Sequence, residues 1–253
     1  AGRYPLPERL IIIPDGALSD LSFDALLVHR NPDQNDLPAL VRNKNFLVQN
    51  HMISYCFSAG LLQEMKRRNG NSTLSPKLAL FAPRFDPGSP VLPFMKNQER
   101  EIQAIKDRVS DAISPEQGTK EAFLAATQKN AYLHLCAHGF VSGNPDSSFI
   151  AFRQNSATAD SSQFFYLSEL YHHRLDQELI TLTACETALG EHRSGEGNIS
   201  LARGFAYAGV KSFITTLWKI QTEGAARIIP TFYDHFLNKS LPKDVALTLS
   251  KRA

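Results

Sequence analysis

The sequence predicts an α/β protein with a mostly parallel central sheet sandwiched between two layers of helices. Three observations carry this. Two short apolar runs, one from Tyr132 toward His138 and one from Leu179 toward Cys185, have the length and composition of strands buried on both faces. Helical segments, amphipathic or rich in small residues, separate such runs. Each run also ends on reactive residues, and open α/β sheets process ligands at the carboxyl ends of their strands. With 253 residues and 43% hydrophobic content, the chain suffices for one α/β domain, with room for a subsidiary lobe near the N-terminus.

In chain order, Leu10-Ile-Ile-Ile13 reads as a buried strand closed by Pro14-Asp15-Gly16. Met52 to Phe57 reads as a second strand, and Ser58 as the N-cap of a helix to about Arg68. Lys77 to Ala82 is a third strand, and the proline-rich stretch after it cannot lie in a sheet interior. Asn97 to Ile113 alternates charges with Ile102, Ile105 and Val109 at helical spacing, which predicts an amphipathic surface helix. Thr119 caps a further helix to about Lys129, which leads into the His-bearing strand. Phe149 to Phe152 is a strand, Asn155 to Gln163 a loop, and Tyr166 to Leu175 a short helix before the Cys-bearing strand. Gly195-Glu-Gly197 opens a helix rich in small residues, Ser212 to Leu217 is a strand, and Thr222 starts a helix kinked at Pro230. Pro242 opens a last helix. Strands alternating with helices imply crossovers of the βαβ kind and a three-layer sandwich.

Composition excludes several function classes. The net charge of +2 and the isolated Lys66-Arg67-Arg68 cluster, suited to a solvated helix end, give no support to nucleic-acid binding. No apolar stretch approaches the length needed to span a bilayer. The three cysteines, Cys56, Cys136 and Cys185, show no disulfide spacing, so the expectation is a reducing, cytoplasmic setting. No phosphate-cradling loop, dinucleotide fingerprint or serine nucleophile elbow occurs, and no cofactor is predicted.

The chemistry lies in His138-Gly139 and Ala184-Cys185. A thiol attacks a carbonyl as thiolate, and a neighbouring imidazole can take its proton and return it to the leaving amine. The amides of Gly139 and Cys185 are candidate donors to the oxyanion, and Gly139 leaves the approach unobstructed. Alone, a Cys or a His at a strand end is more often structural; their joint placement favours catalysis. Metal binding is the alternative, because His134, Cys136 and His138 alternate along one apparent strand. Residues four apart on a strand are separated by about 13 Å at ~3.3 Å per residue, too far for one zinc to take both histidines. No metal site is predicted. Cys56 and Cys136 read as core, and His172, His173 and His192 as solvated.

These residues resemble the CHAT domain, a branch of the caspase-like (clan CD) cysteine peptidases related to separase. The resemblance covers nearly the whole chain, 1–253. It runs through Leu10-Ile-Ile-Ile-Pro-Asp-Gly16, Leu133-His-Leu-Cys-Ala-His-Gly139, Thr183-Ala-Cys-Glu-Thr-Ala-Leu-Gly190, Leu201-Ala-Arg-Gly-Phe-Ala-Tyr-Ala-Gly209 and Thr216-Leu-Trp218. A His about 50 residues upstream of the Cys agrees with that clan's layout. The resemblance implies a caspase-like α/β/α sandwich, with His138 as general base, Cys185 as nucleophile, and the Gly139 and Cys185 amides as oxyanion hole. It implies a protein substrate, gasdermin-like proteins among the possibilities, and roles in bacterial immunity and regulated cell death. Relatives commonly follow tetratricopeptide repeats that relay a binding event, so the chain is expected to be part of a larger protein with such a regulatory region or an upstream activator. Ala188 stands where the family usually has Gly. In the segment Trp218 to Glu223, Gln221 and Thr222 stand where many relatives carry paired Asp. That departure implies a neutral P1 residue rather than Arg, unless Glu223 turns inward. The rival expectation is a catalytically silent interaction module that keeps the fold.

Overall fold

The computed structural model describes residues 6–28, 46–68, 72–85, 92, 95, 98–115, 118–142, 144–152, 161–183, 196–216 and 222–253. Its strands, in chain order, are β1 (Arg9–Ile12), β2 (Met52–Tyr55), β3 (Ser75–Phe81), β4 (Asn130–Leu135) and β5 (His138–Phe140). They continue with β6 (Phe149–Ala151), β7 (Phe164–Tyr166), β8 (Leu179–Leu182) and β9 (Phe213–Thr215). The helices are α1 (Ala59–Arg67), α2 (Gln98–Lys106), α3 (Lys120–Thr127) and α4 (Leu167–Leu170). After them come α5 (Glu196–Ala208), α6 (Thr222–Tyr233) and α7 (Lys243–Arg252).

Four strands form the central sheet in the order β3-β4-β8-β9, every pair parallel. Because side chains alternate across a strand, each apolar run feeds two cores. Ala79, Phe81, Leu133, Leu135, Ile180 and Leu182 point to one face, where α3, α4 and α5 supply Phe123, Leu167, Leu170, Leu201 and Phe205. Leu78, Leu80, Cys136 and Leu179 point to the other, where α2 and α6 supply Ile102, Ile105, Phe232 and Tyr233. The result is the three-layer α/β/α sandwich that the sequence predicts, with a mostly parallel sheet of caspase-like kind.

Local signals act as expected at several element ends. Ser58 Oγ accepts from the Leu61 amide at 3.1 Å and Thr119 Oγ1 from the Ala122 amide at 3.2 Å, each satisfying a donor that the helix cannot. Arg67 and Arg68, at the end of α1, pair with Glu64 on an exposed surface. Pro242 is the N-cap of α7. Pro230 lies within α6, which continues into a π-helical turn, Asp234–Asn238.

Elsewhere the structure corrects the reading. The isoleucine run of β1 is half exposed, with Ile11 51% accessible, because β1 pairs only with β2 among the described residues and stands apart from the central sheet. The C-terminal helix ties this ribbon region to the body: Lys251 Nζ lies 2.7 Å from Asp24 Oδ1, and Arg252 Nε donates to Val48 O at 2.7 Å. The helix expected over 97–113 is α2 alone, nine residues long, and it is buried at Gln98 and Glu101 as well as at its isoleucines. The helix expected over 166–175 shrinks to α4, because Phe164–Tyr166 are drawn into β7. The small residues of α5 serve that short helix as much as the sheet: a Cβ on Gly204 would collide with Leu167.

Candidate active site

The two central strands leave the sheet side by side. β4 and β8 pair with Leu135 opposite Leu182, and the Thr183 amide continues the ladder by donating to Leu135 O at 2.9 Å. On the other side of β4, the Cys136 amide donates to Phe81 O at 2.8 Å. The segments that lead to His138 and to Cys185 are thus neighbours at the carboxyl edge, where α/β sheets carry their chemistry.

His138 does not extend β4, as the sequence reading has it. The parallel ladder stops once β3 runs out, and His138 opens β5, the first strand of an antiparallel β5-β6-β7 sheet. His138 pairs with Ala151, and Gly139 pairs with Ile150. The imidazole is 2% exposed and packs edge-on against Phe85, with ring centroids 4.6 Å apart. Cys185, Trp218 and Gln221 lie outside the described residues, as do Ala188 and His192. Thr222 and Glu223 are the first two residues of α6.

Beneath the strand tips lies a polar cluster that the sequence reading missed. Glu101, from the first turn of α2, is fully buried, as are His134 and Thr181. Thr183 Oγ1 donates to Glu101 Oε1 at 2.8 Å, and His134 Nε2 lies 3.2 Å from the same oxygen. The Cys136 thiol faces Glu101 Oε2 at 3.8 Å. One turn earlier, the Gln98 amide donates to Pro83 O at 3.0 Å and to Cys136 O. Tyr233 OH donates to Thr181 Oγ1 at 2.9 Å, and burial, with Glu101 nearby, holds that phenol far above its ordinary pKa. The signal was present in the sequence: Gln98 and Glu101 fall on the same stripe as Ile102, Ile105 and Val109.

Of the remaining candidates, Cys56 and Cys136 are buried thiols, as expected for core residues. His172 and His173 follow α4 in a turn, with the His173 ring against Phe165. Among the described residues no group of three His, Cys, Asp or Glu side chains is placed to hold a metal ion, and no helix is long and apolar enough to cross a membrane. An apolar cleft of about 800 Å³ runs between β2 and β9, with Ile53, Tyr55, Leu182, Thr183, Phe213 and Thr215 in its walls. Its volume suits an extended organic ligand or peptide segment.

A parallel sheet between two helical layers, with a His-Gly and the approach to a Cys at adjoining strand ends, is the frame of a caspase-like α/β protein. A family model described as the CHAT domain matches residues 2–253, and the chain belongs to that family. Membership associates it with the caspase-like cysteine peptidases. A search of curated proteins gave no match.

Proposed function

We propose that the chain is a cysteine endopeptidase that cuts a chosen protein partner through a His138–Cys185 dyad. The observation that supports this is the pairing of β4 with β8, which sets Leu135, three residues before His138, beside Leu182 and Thr183, the latter two residues before Cys185. Cys185 Sγ attacks the scissile carbonyl carbon while its proton passes to His138, and the amides of Gly139 and Cys185 stabilise the oxyanion. The imidazolium then protonates the leaving amine, and water, activated by His138, hydrolyses the thioester. The family resemblance makes a cytoplasmic immune or cell-death protease the natural setting, with a gasdermin-like substrate and a repeat-bearing regulatory region as partners.

The P1 residue is proposed to be neutral, because Gln221 and Thr222 supply no carboxylate to an incoming Arg, and an unpaired buried guanidinium is costly. Comparison of P1-Leu and P1-Arg peptides tests this; faster Arg cleavage refutes it. One observation favours a second reading, a catalytically silent interaction module: His138 is almost wholly covered, with Phe85 against its ring. Labelling with iodoacetamide separates the two. A peptidase reacts at Cys185 faster than its His138→Ala variant does, and Cys185→Ala abolishes cleavage. Equal labelling in the two proteins would sink the peptidase reading.

A further inference from the structure

Helix α2 brings to the sheet a carboxyl group that core packing does not require and that is not itself a member of the dyad. Glu101 is fully buried between residues of β4 and β8, where an aliphatic side chain would fill the space at lower cost. Its oxygens reach both strands, and Oε1 also lies 3.2 Å from His134 Nε2 of β4. Oε1 accepts from Thr183 Oγ1 on the β8 side, and Oε2 faces the Cys136 thiol on the β4 side. Thr183 stands two residues before Cys185, and Cys136 two residues before His138. Gln98 extends the same tie to Pro83, beyond the end of β3. One helical turn therefore clamps the carboxyl ends of three neighbouring strands.

Among the described residues the ladder of β4 with β8 ends at Leu135–Leu182, and the last backbone bond between the two is Thr183 N–H to Leu135 O. Beyond it, β4 gives way to the antiparallel β5-β6-β7 sheet, and among the described residues the side-chain bridge through Glu101 joins the two strand ends at this level. A shift of about 1 Å between reacting groups can cost on the order of a hundredfold in rate. A buried, multiply bonded carboxyl has the rigidity to prevent such a shift.

We propose that Glu101 is a positioning residue for the His138–Cys185 pair, fixing the separation of the two strand tips through Thr183 and Cys136. This rests on the dyad reading above, and the test keeps the two apart. The full chain is alkylated with iodoacetamide, and the rate at Cys185 is followed by peptide mapping. Cys56 and Cys136 are buried and compete little. The small reagent needs no substrate pocket, so its rate reports how well the imidazole activates the thiol.

In Thr183→Val, which removes the hydroxyl at constant volume, the rate falls about tenfold or more, while Thr183→Ser retains most of it. Glu101→Ala falls similarly, and combining it with Thr183→Val adds little, because both cut the same tie. Thermal unfolding is recorded beside each rate. A merely stabilising bond would lower the midpoint and leave the labelling of the folded protein unchanged, which overturns the proposal. Should Glu101→Ala not fold, Thr183→Val against Thr183→Ser decides alone. If labelling of the parent chain is independent of His138, the dyad itself fails. If it depends on His138 but ignores Thr183, only the role of Glu101 fails.

Discussion

Tyr233→Phe is the most informative single change to the core. The hydroxyl is fully buried and donates to Thr181 Oγ1 at 2.9 Å, so its removal forfeits one hydrogen bond and leaves a threonine oxygen short of a donor. At pH 7 the expected loss is about 1–2 kcal/mol. Thr181→Val should cost a similar amount, and the double variant less than the sum by about 1 kcal/mol, since both partners are then apolar. A pH dependence follows as well. Burial keeps the phenol protonated in the folded chain, whereas in the unfolded chain it ionises near pH 10. The folded state binds that proton more tightly, so the stability Tyr233 contributes is complete below pH 10 and declines as pH rises. By pH 11 the parent chain has lost about 1.4 kcal/mol that the Phe variant never had, and the gap between them closes. Urea unfolding of the parent, both single variants and the double variant at pH 7, 10 and 11 measures every term. A gap that stays constant from pH 7 to 11, or single costs that simply add, refutes the reasoning.

Three further changes probe backbone conformation and core packing. Gly209 has φ +118°, and a Cβ there would collide with Leu175 O, so Gly209→Ala should destabilise by more than about 2 kcal/mol. Gly60, in α1, meets nothing within 4 Å, and Gly60→Ala should stabilise by about 0.4–1 kcal/mol; chemical denaturation of both gives the contrast, and equal effects would contradict it. Phe123 is fully buried, with Phe81, Phe152 and Phe165 around its ring at 5.7, 4.8 and 5.8 Å between centroids. Phe123→Ala should cost about 3–5 kcal/mol, and a thermal midpoint within a degree of the parent's would show that the cluster is not a core.

The central strands were legible because β3, β4 and β8 are apolar on both faces, a pattern few other elements produce. The caps at Ser58 and Thr119 were legible because they depend on three or four consecutive residues. What was hidden depends on distance along the chain. Glu101 reads as one more charge on a solvated helix, and its partner Thr183 lies 82 positions away. Its place on the apolar stripe was the available clue. β7 is three residues long and follows a polar stretch of sequence, so periodicity had nothing to grip. The run at β1 looked buried by composition, yet burial there depends on neighbours, and among the described residues β1 has β2 alone. Of the candidate site, the sequence proposed the residues, and the structure supplied the adjacency of β4 and β8 and the placement of His138 at a hairpin start.

The all-parallel central sheet has a kinetic consequence. Its pairings join segments remote in sequence, and a three-stranded antiparallel excursion must be accommodated between β4 and β8 before those two can meet. Loop-closure entropy is spent before any pairing repays it, so folding should be slow compared with that of a helical bundle of the same size. During that interval the apolar segments that become β4 and β8 are open to other nascent chains, and recovery of native protein should improve with lower temperature and dilution.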